Sequence, residues 1–276
     1  MSQSVVVVIG VGGMGESIAR RLGSGARLLI ADFNAEALEA VRAQLEKDGY
    51  AVTAAPVDVS SRESVCALAR RAAGLGPVRT VVHTAGLSPA QASVGAILAV
   101  DLLGVALVLE EFGQVVAPGG AGVVIASMAG HRHSGLSGEE AVQLATTPAD
   151  ELLSLPVAAK ERFSGPGAAY TFSKAANLLR VRAASSTWGA RDARINSVSP
   201  GAIATPMGQA ELVGEHGDTM RRMIAASNAK RAGTTADITD AVAFLVGSSA
   251  SFISGTDLLV DGGVTALAAG GGHWLG

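Results

Sequence analysis

Short apolar runs rich in β-branched residues recur along the chain: VVVVI from Val5, LLIA from Leu28, TVVH from Thr80, VVIA from Val123, INSV from Ile195 and LLV from Leu258. They are short and apolar throughout, the pattern of strands buried on both faces. Between them the apolar positions take helical spacing: Met14, Ile18 and Leu22; Leu38, Val41 and Leu45; Val65, Leu68 and Ala72; Ile238, Ala241 and Leu245. Ser60 with Glu63, and Thr234 with Asp237, have the spacing of capping boxes at two of these helix starts. Strands and helices alternating over short connections predict an α/β fold. Its form is a Rossmann-type doubly wound parallel sheet of about seven strands, with helices on both faces.

One region departs from this alternation. HRHSGLSGEEAVQLATTPADELLSLPVAAKERFSGP, from His131, has helical content and no strand pattern. Thr147, Pro148 and Asp150 have the form of a helix start, a cap followed by proline at the first helical position. The region reads as a pair of short helices inserted at about 131–168 into a single domain covering 1–276. His131 and His133 form an H-x-H without a clear third ligand, which reads as a polar loop, so no metal is expected.

Composition agrees with one domain. The chain has 276 residues, 49% of them apolar and 16% charged, enough to bury a large core. The formal net charge is -3, with no basic run interleaved with aromatics, so small molecules rather than nucleic acid are the expected partners. Cys66 is the sole cysteine. It permits no intrachain disulfide, suits a reducing compartment and is expected to be a buried, inert thiol. The start, MSQSVVVVIG, has no basic leader and its apolar run stops at a glycine. It reads as neither signal peptide nor membrane span, and the expected location is the cytoplasm.

Gly10-Val11-Gly12-Gly13-Met14-Gly15 directly follows the first strand and opens the first helix. In that setting G-x-G-x-x-G lets the backbone turn tightly against a pyrophosphate held at a helix N-terminus. Asp32 ends the second strand about twenty residues on, where a carboxylate accepts hydrogen bonds from an adenosine ribose. It would repel a 2'-phosphate, and neither Phe33 nor Asn34 supplies a compensating cation. These residues favour NAD(H) over NADP(H).

GAAYTFSK, from Gly167 to Lys174, places Tyr170 and Lys174 four residues apart, on one helix face. Ser127 ends the VVIAS strand, and clefts in such sheets form at the carboxyl ends of strands. With these residues the chain resembles the short-chain dehydrogenase/reductase family. Ser127 in SMAG matches the family's serine and Tyr170 with Lys174 its Y-x-x-x-K; PGAIATP from Pro200 matches its nicotinamide-side loop and LLVDGG its last strand. The resemblance runs from about Val5 to Gly263. It implies interconversion of a secondary alcohol and a ketone, with Tyr170 as acid or base, Lys174 lowering its pKa and holding the nicotinamide ribose, and Ser127 donating to the substrate oxygen. A free tyrosine titrates near pH ~10, so ionisation near neutrality requires a shift of roughly three units, about 4 kcal/mol. By the same resemblance Asp58 and Val59 flank the adenine, Thr84, Ala85 and Gly86 line the cofactor cleft, and Pro200, Gly201, Ile203 and Thr205 face the nicotinamide. Residues at about 205–230 take the place of the substrate loop, mixing Met207, Leu212, Met220, Met223 and Ile224 with Glu211, Glu215 and arginines. The mixture suits an amphipathic helix closing over an apolar, even cyclic, substrate.

Several positions depart from the family pattern. The glycine loop is one residue short, with Ile9 where threonine is usual. His83-Thr84-Ala85-Gly86 replaces N-N-A-G, and Asp101 in VDLLG stands where asparagine is common. That asparagine holds a water on a proton path to the lysine. Asp101 either keeps this catalytic place, or pairs with Lys174 and alters the tuning of Tyr170, or only bonds within its helix. The enlarged interval before Tyr170, with Ala85-Gly86-Leu87-Ser88-Pro89, is similar to bacterial 3α-hydroxysteroid dehydrogenase/carbonyl reductase-like members. The resemblance also implies a homodimer or homotetramer. The glycine-rich tail with His273 and Trp274 is either disordered or docked on a neighbouring subunit. Two other functions share the fold: a sugar-nucleotide epimerase or dehydratase, whose usual further C-terminal domain is not expected here, and a cofactor-binding sensor or interaction module without turnover.

Overall fold

In the computed structural model, which describes residues 3–213 and 217–269, seven strands form one sheet. They are β1 (Val5–Ile9), β2 (Arg27–Asp32), β3 (Ala51–Pro56), β4 (Val78–His83), β5 (Val116–Ile125), β6 (Arg194–Pro200) and β7 (Asp257–Val260). Their order is β3-β2-β1-β4-β5-β6-β7, and every pairing is parallel. The helices are α1 (Gly13–Gly23), α2 (Ala35–Lys47), α3 (Arg62–Leu75), α4 (Val94–Ile97), α5 (Val105–Val115), α6 (Gly138–Thr146) and α7 (Ala149–Leu152). They continue with α8 (Pro166–Gly189), α9 (Pro206–Val213), α10 (Gly217–Ala226), α11 (Thr235–Val246) and α12 (Val264–Ala269). A π-helical segment, Leu98–Gly104, joins α4 to α5.

The side-chain alternation of β1 divides the core. Val5, Val7 and Ile9 pack on one face with Val65 and Leu68 of α3, Phe112 of α5 and Phe172 of α8. Val6 and Val8 pack on the other with Ile18 of α1, Leu38 and Leu45 of α2, and Ile238, Val242 and Leu245 of α11. Side chains of this size contribute roughly 1.5–3 kcal/mol each when fully buried, which makes the two layers the main source of cohesion.

Four local readings are corrected or completed. β3 is the strand without a pattern of its own: it lies at the sheet edge, and its AVTAAP is mostly half-exposed. The cap of α3 is Ser61, whose side chain accepts the Ser64 amide, rather than Ser60, which donates its amide and hydroxyl to Asp58. Thr147 closes α6 instead of capping the next helix, and Pro148 is the residue that precedes α7. Cys66 is half-buried, not enclosed. The capping box of Thr234 and Asp237 forms as its spacing predicts. Glu215, His273 and Trp274 lie outside the described residues.

Candidate active site

Strand order reverses between β1 and β4, so the chain leaves these neighbours toward opposite sides and opens a crevice at their carboxyl ends. Gly10 leaves β1 with φ +94°, the left-handed region that favours glycine. A Cβ there would lie 2.5 Å from the Ala85 nitrogen and 2.6 Å from Thr84 Oγ1, and one at Gly15 would strike the Gly10 carbonyl. Thr84 follows β4 and donates its hydroxyl to the Gly10 carbonyl at 2.8 Å, which ties the two strand ends together. Asp32 completes the turn: Oδ2 accepts the Val11 amide at 2.7 Å and Oδ1 the Asn34 amide at 2.9 Å.

Open space surrounds Gly12, and no side chain caps the N-terminus of α1. This cradle fits a pyrophosphate, with partial positive charge from the helix and backbone amides at its end. Phe33, beside Asp32, is 79% exposed. On the far side of the crevice Thr205 and Pro206 approach Gly13 to 3.4 Å from its Cβ position. The Pro200–Thr205 loop and the glycine turn thus meet. Thr205 Oγ1 accepts the Gly208 amide at the start of α9, and Ile203 bridges to Gly233. Gly201 lies against Asp261, Met14 packs on the core, and Val59 is buried against Gly104. Asp58 accepts the Ser60 amide and hydroxyl on one oxygen.

Ser127 follows β5 and accepts the Ala129 amide at 3.1 Å, opening a 3-10 turn, Met128–Arg132. That turn presses on α8, where a Cβ at Gly130 would lie 2.8 Å from the Lys174 carbonyl. Close backbone contact therefore locks the segment carrying Ser127 to the helix carrying Tyr170 and Lys174. Lys174 is 4% exposed; its Nζ donates to the Ile125 carbonyl at 3.4 Å, lies 5.4 Å from the centre of the Tyr170 ring and 3.3 Å from Asp101 Oδ1. Asp101 is fully buried in the π-helical segment, and the Leu87 amide donates to both carboxylate oxygens at 3.2 Å. A Cβ at Gly86 would stand 2.6 Å from Asp101 Oδ1 and 3.4 Å from Lys174 Nζ.

Burial pushes the Asp101 carboxyl up from its ordinary range, opposed by Lys174 and the Leu87 amide. Burial acts against the Lys174 ammonium too, but the facing Asp101 carboxylate, with a smaller contribution from Tyr170, outweighs it and holds Lys174 above its usual value. His83, at the end of β4, is buried with neither ring nitrogen partnered, and burial together with Lys174 brings it down to about 3. Leu87, Gly130 and His83 are thus parts of the site to which the motifs containing them, AGLSP, SMAG and HTAG, assigned no role. Leu87 acts through its backbone and Gly130 through its missing side chain, neither of which a motif reports. His131 bonds Asp257 at 2.7 Å, while His133 meets Phe172 edge-on, so the H-x-H pair faces two different partners. Among the described residues no cluster of three metal-ligating side chains is found, and no helix is long and apolar enough to cross a membrane.

A parallel sheet of this order, with a glycine turn at its reversal point, defines a dinucleotide-binding class of protein. The family model described as short chain dehydrogenase matches residues 4–138, and that described as enoyl-(acyl carrier protein) reductase matches 139–265. The chain belongs to the short-chain dehydrogenase/reductase family of oxidoreductases, which use nicotinamide cofactors. It is 41% identical over 267 residues to the short-chain dehydrogenase/reductase bsc3 of Alternaria brassicicola, covering 96% of this chain and 97% of that protein. To 3-alpha-hydroxysteroid dehydrogenase/carbonyl reductase of Comamonas testosteroni it is 27% identical, over 68% of this chain and 72% of that one. Among solved structures, levodione reductase superposes with a TM-score of 0.76 at 25% identity, covering 96% and 98% of the two chains.

Proposed function

We propose that this oxidoreductase uses NAD(H) to interconvert a secondary alcohol and a ketone, on an apolar or cyclic substrate. The observation that carries the reading is the convergence of Tyr170, Lys174 and the Ser127 turn at the carboxyl end of β5, beside the glycine cradle. The bound nicotinamide supplies the hydride acceptor in oxidation and the donor in reduction. Tyr170 takes the hydroxyl proton of the alcohol, or returns it to the carbonyl oxygen in the reverse direction. Ser127 donates to that oxygen and holds it in place, while Lys174 supports Tyr170 electrostatically and binds the nicotinamide ribose. Asp32 supports NAD over NADP, because a carboxylate at the end of β2 would repel a 2'-phosphate and neither Phe33 nor Asn34 supplies a compensating cation. Met220 and Met223 of α10, packed with Met128 beyond Ser127, support an apolar substrate.

The further parts of the reading are a homodimer or homotetramer, a cytoplasmic location, and a role for the segment at about 131–168 as subunit interface or substrate wall. The test is nicotinamide absorbance during incubation with a panel of secondary alcohols and ketones, hydroxysteroids included, with NAD(H) and NADP(H) compared. Turnover with NAD(H) that falls at least ~100-fold in Tyr170→Phe, within the range for loss of a general acid or base, is the expected result. NADH binding without turnover of any substrate in the panel would move the reading to a sensor.

A further inference from the structure

Asp101 and Lys174 make a closed unit. The carboxylate is 0% exposed and the ammonium 5%; they stand 3.3 Å apart, and Gly86 packs so closely on them that a Cβ there would lie 2.6 Å from Asp101 Oδ1. The carboxylate is held by the Leu87 amide on both oxygens and the ammonium by the Ile125 carbonyl, so neither end can swing away without losing a bond. The centre of the Tyr170 ring is 5.4 Å from the same ammonium, which places the carboxylate within about 9 Å of that ring. A lysine that assists a tyrosine in releasing its proton here faces a buried negative charge on its other side.

We propose that Asp101 acts as a counter-charge that cancels much of the Lys174 field at Tyr170, so that Tyr170 keeps its proton at neutral pH and the site is set to donate it to a carbonyl. The proposal deepens the alcohol–ketone reading and rests on it for its direction of reaction, though not for the titration itself. Asp101 is on this account a positioning residue, acting through Lys174. The surrounding charges do not replace it. His83, facing from β4, stays neutral. On α8, Arg180 binds Glu110; on α5, Glu110 and Glu111 bind Arg62. In the turn after Ser127, His131 binds Asp257 and Arg132 is exposed, and Lys160 lies outside, against Gly95.

Sequence and geometry supply a direct readout, because the chain has only two tyrosines, Tyr50 and Tyr170. Tyrosinate absorbance titrated in the whole protein, minus the same titration of Tyr170→Phe, reports Tyr170 alone. Asp101→Asn keeps an oxygen for the Leu87 amide and removes the charge. A like charge at this distance in a partly desolvated site is worth about one pH unit, so the Tyr170 midpoint should fall by about that much in Asp101→Asn and in Asp101→Ser. The acid limb of the alcohol-oxidation profile should move down with it, and oxidation at neutral pH should gain on reduction. A midpoint unmoved or raised in the folded variants overturns the proposal. A Tyr170 midpoint near 7 in the unchanged chain, against ~10 for a free tyrosine, overturns it without any variant. If the midpoint moves as expected but no substrate turns over, the counter-charge stands and the alcohol–ketone reading fails.

Discussion

Replacing His83 with leucine should flatten the acid side of the stability profile. In the folded chain the imidazole is 1% exposed, neither ring nitrogen has a partner, and burial with Lys174 nearby brings its pKa down to about 3 from an ordinary 6.5. Above 6.5 both the folded and the unfolded chain carry it neutral and it makes no pH-dependent contribution. Below 6.5 the unfolded chain takes up a proton that the folded chain refuses, so stability falls as pH drops through the window down to about 3. The slope is ~1.4 kcal/mol per pH unit, which amounts to about 2 kcal/mol lost by pH ~5. Even a folded value one unit higher leaves that figure almost unchanged, because pH 5 still lies above it. Leucine has no polar atom to leave unpaired, and an unpaired buried polar group costs about 1–3 kcal/mol, so the variant should not be less stable than the parent at pH 7.5. Urea unfolding of both chains from pH 7.5 to 5.0 measures the effect, since the other titrating groups are common to both and cancel in the difference. Parallel profiles for the parent and His83→Leu would refute the burial argument.

Two further substitutions separate the site from its scaffold. Gly130→Ala places a methyl 2.8 Å from the Lys174 carbonyl, with backbone on both sides of the contact. It should cost about 1–3 kcal/mol by overpacking and lower kcat as the Ser127 turn lifts from α8, read by a urea midpoint and a rate assay. Thr234→Ala removes the cap that accepts the Asp237 amide. It should cost about 1 kcal/mol in the same unfolding assay, with no change in the Tyr170 titration.

The sequence was informative where one kind of side chain carries the information. Val5 to Ile9 could be read as a buried strand because apolar content alone marks it, and Thr234 with Asp237 because a capping box is local. β3 was hidden because an edge strand of alanine and threonine has no apolar pattern to display. Choosing between Ser60 and Ser61 required knowing that Asp58 takes the first of them. Tyr170, Lys174 and Ser127 are legible as motif residues, and their convergence follows from strand order. The union of Asp101 with Lys174 was only one of three readings, because it depends on the rotation of one helix against another. Gly130 and Leu87 fall within SMAG and AGLSP, but their roles could not be read there, since backbone contact is not written in residue type.

The passage from α4 through Leu98–Gly104 to α5 changes what a mutation in that helix can do. In an unbroken α-helix every residue is fixed in azimuth by every other, so a change that turns one end turns the whole rod. A π-helical turn accommodates an extra residue and breaks that phase relation. Asp101 can thus aim at Lys174 while Val105, Leu109 and Phe112 keep their own aim into the core. Deleting one residue within 98–104 would restore a single phase and force the two halves to compete: either the carboxylate rotates out of the site or the hydrophobic seam slips. The aim of the site and the packing of the core can therefore drift separately as the sequence varies.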